Sequence, residues 1–277
     1  MIYGVAAAVL WGLGDLLAKG VVDRTGTRAA LLYVQGGGLL FALCVMAGLG
    51  IGLSLPDWPA SGFMFVTVCA NALSVALLYQ ALSRGPAMLA VPLSTCSGAI
   101  ALVLSIAGGT AQASPHAVLL LLAITGSAMA VATQPGAGGR CWTSAILALA
   151  SAAAGGVATW SAGRWIGPVS TAASGSLLNM GVLALASFAM AARGERPRRR
   201  MPVLLVMGAA IVNVGGYAAF LAGIMTGRLD ETGVLSTLSG AVAACGAAVL
   251  LKERLTPVQY CGLGATAILV PLLAAVS

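Results

Sequence analysis

The chain has 277 residues, of which 60% are hydrophobic and 8% are charged, and its mean hydropathy is +1.00. A water-soluble protein of this length could not bury so much apolar surface, so the composition excludes that class and indicates a membrane protein. The formal net charge is +7 at pH 7. Because the basic residues lie in short gaps between apolar runs, the charge favours a role in membrane topology over nucleic-acid binding.

Ten spanning helices are predicted in chain order. A span needs roughly 20 mainly apolar residues, and the continuous Ala-, Leu- and Gly-rich runs favour helices over the alternating pattern of membrane strands. The first run contains Asp15 and lacks a basic leading segment, so we interpret it as a retained helix and not a cleaved signal. The predicted spans are 2–20, 28–50, 59–82, 86–108, 115–134, 143–163, 168–191, 202–225, 231–251 and 257–276.

The sequence also contains an internal repeat. A shift of 142 positions superposes residues 93–99 on 235–241 and pairs Asn71 with Asn213. Nearby shifts add two further pairs, Gln35 with Asn179 and Lys19 with Arg164. An ordered series of matches along two halves of a chain indicates a duplicated unit of five spans.

Five spans is an odd number, so the second copy enters the membrane from the opposite side, as in the inverted repeats of secondary transporters. The predicted fold is an all-α polytopic membrane protein of ten transmembrane helices, with one five-helix repeat at residues 1–134 and an inverted one at 141–277. Of the 14 basic residues, 12 lie on the side of the first, third, fifth, seventh and ninth gaps. The positive-inside rule places that side in the cytoplasm and both termini outside.

Several segments resemble the EamA-type family of the drug/metabolite transporter superfamily. They are residues 6–12 followed by Lys19, residues 78–82 and 91–93, and residues 251–255 before the last span. The similarity covers essentially the whole chain. It implies a ten-helix fold with a central substrate cavity between the halves, and secondary transport of amino acids, other metabolites or drugs, often as export.

Two features depart from this resemblance. Val234 occupies the position that the repeat matches to Pro92, so the ninth span is expected to lack the kink of the fourth. The charge bias also opposes the cytoplasmic termini that are usual for relatives, which leaves import and export open.

Asp15 is the most informative single residue, because an ionisable group inside a span costs about 2.5–3.5 kcal/mol and tends to face a cavity, a partner or a proton path. Tyr3, Ala7, Trp11, Asp15 and Lys19 recur every four residues on one helix face. One interpretation is a proton or cation site beside Trp11. The alternative is an Asp15–Lys19 ion pair that anchors the helix.

Paired amides and aromatic residues complete the candidate site. Asn71 and Asn213 are expected near the pseudo-two-fold axis, where they would bind a zwitterion or serve only as interhelical hydrogen bonds worth about 0.6 kcal/mol. The predicted substrate-binding residues are Trp11, Asp15, Asn71, Tyr79, Asn213 and Tyr217. Weaker candidates are Gln35, Gln80, Trp160 and Asn179, together with the hydroxyl clusters at 94–97 and 236–239, which either line a pathway or permit close helix packing.

An enzyme is not predicted, because the sequence has no phosphate-binding loop, no HExxH and no GxSxG motif. The six cysteines are scattered singly, so no metal, disulfide or cofactor is expected. Few basic residues lie inside spans, which argues against a multiply anionic cargo.

The predicted function is secondary transport of a small neutral, zwitterionic or monocationic metabolite, amino acid or amine-like, across the inner membrane. Export coupled to an ion or solute gradient is expected, with membrane lipids and, through Asp15, protons as partners, and with no nucleic acid. The alternative is a protein that translocates a lipid or a lipid-linked sugar.

Overall fold

The computed structural model describes residues 2–109, 126, 139–191, 202–226, 229–252 and 256–276. Within these ranges the backbone forms helices joined by turns and short irregular segments. The helices are α1 (Ile2–Thr25), α2 (Thr27–Leu49), α3 (Ala60–Arg84), α4 (Ala87–Ser94), α5 (Ser97–Ala107), α6 (Gly139–Ala162), α7 (Val169–Ala191), α8 (Val203–Met225), α9 (Leu229–Ser236), α10 (Ser239–Leu250) and α11 (Pro257–Val276).

Seven segments are long and apolar enough to cross a membrane, and they agree with seven of the predicted spans. They are Ile2–Thr25, Thr27–Leu49, Ala60–Arg84, Ala87–Ala107, Trp142–Ala162, Val169–Ala189 and Val203–Gly223. Large apolar side chains on their outer surfaces face away from the protein, as Leu204 does with 87% of its surface exposed. Such a surface is stable only in lipid, so the chain is a helical multi-pass membrane protein. The predicted span 115–134 lies outside the described residues, apart from residue 126.

Helices from the two halves of the sequence interleave. The first helix, α1, packs along α8, while α3 packs along α6, α2 along α7 and α4 along α10. Alanines supply much of the buried surface at these contacts, and small residues allow helix backbones to approach closely in a membrane. Each buried apolar cluster among the described residues therefore contains side chains of both halves.

Two of the predicted spans are broken in the middle, at matching places. The fourth span is interrupted between Ser94 and Ser97, and the ninth between Ser236 and Ser239. The two breaks are related by the 142-residue shift. The expectation that Val234 leaves the ninth span without a kink is therefore wrong.

Hydroxyl groups, and not proline alone, account for these breaks. Ser94 Oγ donates to the carbonyl of Val91 at 2.7 Å, and Ser236 Oγ donates to the carbonyl of Gly233 at 2.7 Å. Each bond engages a carbonyl oxygen near the end of a half-helix, where side-chain hydrogen bonds compete with the continuing helix. This places the predicted hydroxyl clusters at the ends of half-helices.

The two breaks also touch each other. A Cβ atom at Gly240 would lie 2.5 Å from Thr95 Oγ1 and 3.1 Å from Pro92 Cα, so only glycine fits there. A Cβ atom at Gly98 would lie 2.9 Å from Thr237 Cγ2. The crossing of α4 and α10 thus depends on residues within the segment that the repeat duplicates.

Candidate functional site

A small polar cavity lies between α1, α2, α3 and α8. Its volume is about 50 Å³, which is room for a few water molecules. Its polar wall is formed by Trp11, Asp15, Gln35, Tyr79, Asn213 and Tyr217. Five of the six residues predicted to bind substrate therefore line one cavity, although they come from three helices that are distant in the sequence.

The sixth predicted residue, Asn71, joins the same cluster through a hydrogen bond. Its side-chain Nδ2 donates to the hydroxyl oxygen of Tyr217 at 3.0 Å. Asn213 lines the cavity itself. The amides that the repeat pairs thus have different surroundings, because Asn71 orients a tyrosine and Asn213 faces the cavity.

Trp11 is held by aromatic contacts with α8. Its ring centroid lies 5.3 Å from that of Tyr217 at an interplanar angle of 75°, and 5.3 Å from that of Phe220. These edge-on and tilted arrangements are the favourable ones for aromatic pairs. The indole lies over Gly216, where any Cβ atom would overlap it. The sequence prediction missed Gly216 and Phe220, although their four-residue spacing puts them on one face of α8.

Asp15 faces the cavity without an ionic partner among the described residues. Tyr79 and Tyr217 line the same cavity. The alternative of an Asp15–Lys19 ion pair is wrong, because Lys19 Nζ lies 2.7 Å from Asp23 Oδ1.

Lys19 turns away from Asp15 because it has a second acceptor on α3. Lys19 Nζ also donates to the main-chain carbonyl of Leu82 at 2.9 Å. Leu82 is in the last turn of α3, where carbonyl groups lack helical partners. The ammonium group therefore joins the ends of α1 and α3 and leaves the Asp15 carboxylate in the cavity.

The weaker candidates have separate places. Gln35 is 3% exposed and lines the cavity together with Tyr79. Asn179 donates to the carbonyl of Val68 at 3.2 Å, which is a packing contact between helices. Gln80 accepts from Arg84, and Trp160 stacks with Arg164. Of these four, the cavity includes Gln35 only.

Comparison with known proteins identifies the second half of the chain. Residues 141–274 match the EamA-like transporter family. This half belongs to the EamA-like transporters. The resemblance predicted from the sequence is thereby confirmed, and the family indicates a membrane transporter of the drug/metabolite type.

A structural comparison extends over almost the whole chain. A solved structure titled "Crystal structure of protein" superposes with a TM-score of 0.66 at 20% sequence identity. The matched region covers 99% of this chain and 95% of the other chain. At this identity the likeness shows a shared fold. A search of curated proteins finds no match.

The structure also has an apolar groove, separate from the polar cavity. The groove encloses about 480 Å³ and is lined by leucines of α2, α7 and the segment between α2 and α3. Hydroxyl groups mark one edge, where Ser54 Oγ lies 2.8 Å from Ser170 Oγ and 2.9 Å from Thr171 Oγ1. The groove can accommodate only an apolar group, because its walls are almost entirely hydrocarbon.

Proposed function

We propose that this protein is a secondary transporter of a small neutral, zwitterionic or monocationic metabolite, amino acid or amine-like. The observation that carries the proposal is the polar cavity that encloses Asp15 between α1, α2, α3 and α8. Polar side chains inside a membrane are costly and accumulate where a substrate or an ion passes. The EamA-like match of the second half supports the same class of function.

The proposed architecture is two inverted five-helix repeats, residues 1–134 and 141–277. Equivalent contacts support it. A Cβ atom on Gly12 would meet the carbonyl of Ser239 and the side chain of Val242, whereas one on Gly156 would meet the equivalent atoms of Ser97 and Ile100. Residues 97 and 100 are related to 239 and 242 by the 142-residue shift. A glycine of the first half thus packs against a half-helix of the second, and a glycine of the second half packs in the same way against a half-helix of the first.

The size of the cavity implies a conformational change. A volume of about 50 Å³ is too small for an amino acid or an amine of similar size. Inverted-repeat transporters expose a central site alternately to each side by rocking their halves. We therefore propose that the described conformation is occluded and that the α1–α8 and α3–α6 contacts rearrange together when the site opens.

The charge of the lining favours the proposed cargo class. Among the described residues that line the cavity, Asp15 is acidic and none is lysine or arginine. A cationic amine would neutralise the carboxylate, and the faces of Trp11 and the two tyrosines would attract it further. A multiply anionic cargo would instead meet a like charge.

Energy for export is proposed to come from an ion or solute gradient. Asp15 is the group in this cavity that can exchange a proton, so binding of a proton and of a cation at the same carboxylate would be mutually exclusive. This competition gives a physical basis for the exchange of a proton for a cationic substrate, because the carboxylate that releases one of them can bind the other. The membrane is proposed to be the inner cell membrane, with both termini outside.

The proposal is tested by ligand-dependent stabilisation followed by flux. Purified protein in detergent would be heated with amino acids, amines, quaternary ammonium compounds, nucleosides or lipid headgroups, because a ligand that binds only the folded form raises the unfolding temperature. We expect a shift with one soluble amine-containing class, and uptake or release of that compound by liposomes under a proton gradient. Stabilisation by lipids only would contradict the proposal. Labelling of a single cysteine at either terminus tests the topology.

The apolar groove supports a second candidate function, translocation of a lipid or lipid-linked sugar. An acyl chain would occupy the groove between α2 and α7 while the headgroup moves along the hydroxyl edge. Leu177→Trp would fill the groove, and a fluorescent-lipid transbilayer assay would measure the result. Loss of lipid movement in this variant, with no soluble ligand found, would favour this candidate over metabolite transport.

A further inference from the structure

A second cluster of donor groups lies far from the polar cavity. Arg164 follows the end of α6, and its guanidinium lies over the ring of Trp160, 3.9 Å from the centroid, and 5.3 Å from the ring centroid of Phe63. Phe63 is in the first turn of α3, whereas Leu82, the partner of Lys19, is in the last. The rise of a helix places these two points about 28 Å apart. The Arg164 cluster is therefore at the opposite membrane face from Lys19.

Arg164 differs from Lys19 in lacking a carboxylate partner within the described residues. Lys19 has Asp23 one helical turn further on, but the residue four positions after Arg164 is Pro168. Arg164 Nη1 donates to the main-chain carbonyl of Trp160 at 3.0 Å. The adjoining sequence 110–138 contains no Asp or Glu. A half-buried cation held by aromatic rings, with no neutralising group beside it in the described chain, retains its attraction for an anion.

Two N–H donors converge next to Gly108, at the end of α5. The position that a Cβ atom would occupy on Gly108 is 3.1 Å from Arg164 Nη2 and 3.6 Å from Trp160 Nε1. Trp160 Nε1 is buried and has no hydrogen-bond partner among the described residues. The nearby carbonyl of Leu104 already accepts the Gly108 N–H at 2.9 Å. Buried donors are almost always satisfied, so an orphaned indole N–H beside a free guanidinium edge indicates a missing acceptor.

We propose that Arg164 and Trp160 bind an oxyanion beside Gly108, at a site distinct from the polar cavity. One oxygen of a carboxylate or a phosphate would accept a charge-assisted hydrogen bond from Arg164 Nη2 and a second hydrogen bond from Trp160 Nε1. The oxyanion belongs either to a soluble acid at the transporter mouth or to a lipid headgroup at the membrane face. The stacked rings hold the guanidinium in place, so little side-chain entropy is lost on binding.

The test measures oxyanion binding by purified protein in lipid-free detergent. Unfolding temperatures would be recorded against inorganic phosphate, acetate and short-chain phosphatidylglycerol, with chloride at matched ionic strength as the reference. We expect at least one oxyanion to stabilise the wild-type protein beyond chloride. Stabilisation by phosphate or acetate identifies a soluble acid as the source, and stabilisation by phosphatidylglycerol alone identifies a headgroup.

Four variants separate the site from general charge. Arg164→Gln should weaken binding by about tenfold or more, as expected for loss of a charge-assisted hydrogen bond. Trp160→Phe retains the ring and removes Nε1, and Gly108→Ala fills the space between the donors, so each should weaken binding about three- to tenfold. Arg84→Gln is the matched control, because Arg84 likewise donates to the carbonyl four residues before it but is exposed.

The proposal is overturned by either of two results. One is an equal response of the wild-type protein to chloride and to all three oxyanions. The other is equal weakening by Arg164→Gln and Arg84→Gln with no effect of Trp160→Phe, a conservative change that keeps the ring packing. Neither result bears on the polar cavity, whose ligands are tested separately.

Discussion

The α1–α8 and α3–α6 helix pairs make matching glycine contacts with the half-helices that they face, yet they have different interiors. The contacts of Gly12 and Gly156 relate α1 to α6 by a shift of 144 residues. That shift pairs Trp11 with Gly155 and Asp15 with Thr159. On the partner helices, the 142-residue shift pairs Gly216 with Ser74 and Tyr217 with Val75. Trp11, Asp15, Gly216 and Tyr217 thus have no counterpart of the same type in the other pair, whereas Asn213 has one in Asn71.

The α3–α6 pair is closed by hydroxyl groups. Ser74 Oγ donates to the carbonyl of Ser151 at 2.8 Å, and Ser151 Oγ donates to the carbonyl of Ser74 at 2.8 Å. Ser144 Oγ adds a bond of 2.9 Å to the carbonyl of Ala81. A Cβ atom on Gly155 would lie 3.0 Å from Ser74 Oγ. At the matching place between α1 and α8, Trp11 stacks on Gly216. The two pairs therefore share matching backbone contacts, whereas individual side chains decide which pair holds a cavity.

The sharpest test of this difference is Asp15→Asn, compared with Thr159→Ala at the equivalent place. We expect Asp15→Asn to lower gradient-driven flux in liposomes about 100-fold or more, because the amide cannot carry the charge on which coupling depends, and to weaken stabilisation by a cationic substrate. Thr159→Ala should leave flux unchanged. Unaltered flux of the Asp15→Asn protein at several pH values would exclude Asp15 from coupling.

The shared framework is tested by Gly12→Ala and Gly156→Ala. Each added methyl group would meet fixed atoms of the facing half-helix, and overpacking of this kind costs about 1–3 kcal/mol. We expect both variants to unfold at lower temperatures, by similar amounts. Gly264→Ala, where a Cβ atom meets nothing within 4 Å, is the control. A large effect at one of the two glycines alone would show that the two contacts are not equivalent.

A smaller effect is expected for Tyr217→Phe, which removes the hydroxyl that accepts from Asn71. The loss of one hydrogen bond in the wall should weaken substrate binding about fivefold, in the range of a single neutral interaction. Isothermal titration or the thermal shift would measure the affinity. Tyr260→Phe is the matched control, since Tyr260 is 62% exposed. Equal affinities for all three proteins would remove Tyr217 from the binding site.

The smallest effect is expected for the double variant Ser74→Ala with Ser151→Ala. Interhelical hydrogen bonds in membranes average about 0.6 kcal/mol, so removal of both should lower the free energy of unfolding by about 1 kcal/mol. Flux should remain at the wild-type rate, because these hydroxyls close a contact and do not face the cavity. A severe loss of flux with normal stability would show that the α3–α6 pair also forms part of the substrate path.

Much of the fold was predictable because its signals are local. Apolar runs mark the spans since lipid requires about 20 apolar residues per crossing, and the seven apolar segments of the structure agree with that reading. Asp15 was recognisable for the same reason, as a charge that lipid would not tolerate. The repeat allowed Asn71 and Asn213 to be placed together before any contact was known.

Other features depend on which groups meet in the folded chain. The sequence left open whether Asp15 pairs with Lys19, and the structure shows that Lys19 instead contacts Asp23 and the carbonyl of Leu82. Pro92 predicted one broken span, but hydroxyl bonds and the crossing at Gly240 break both.

Sequence by itself therefore determined the class of protein, seven of the predicted spans, the family and the residues worth attention. Only the tertiary structure decided that Trp11 stacks over Gly216, that polar residues of four helices surround one cavity, and that Arg164 Nη2 and Trp160 Nε1 both lie near Gly108. Hydropathy and repeats act along the chain, whereas hydrogen bonding and close packing depend on which helices meet, which no local pattern specifies.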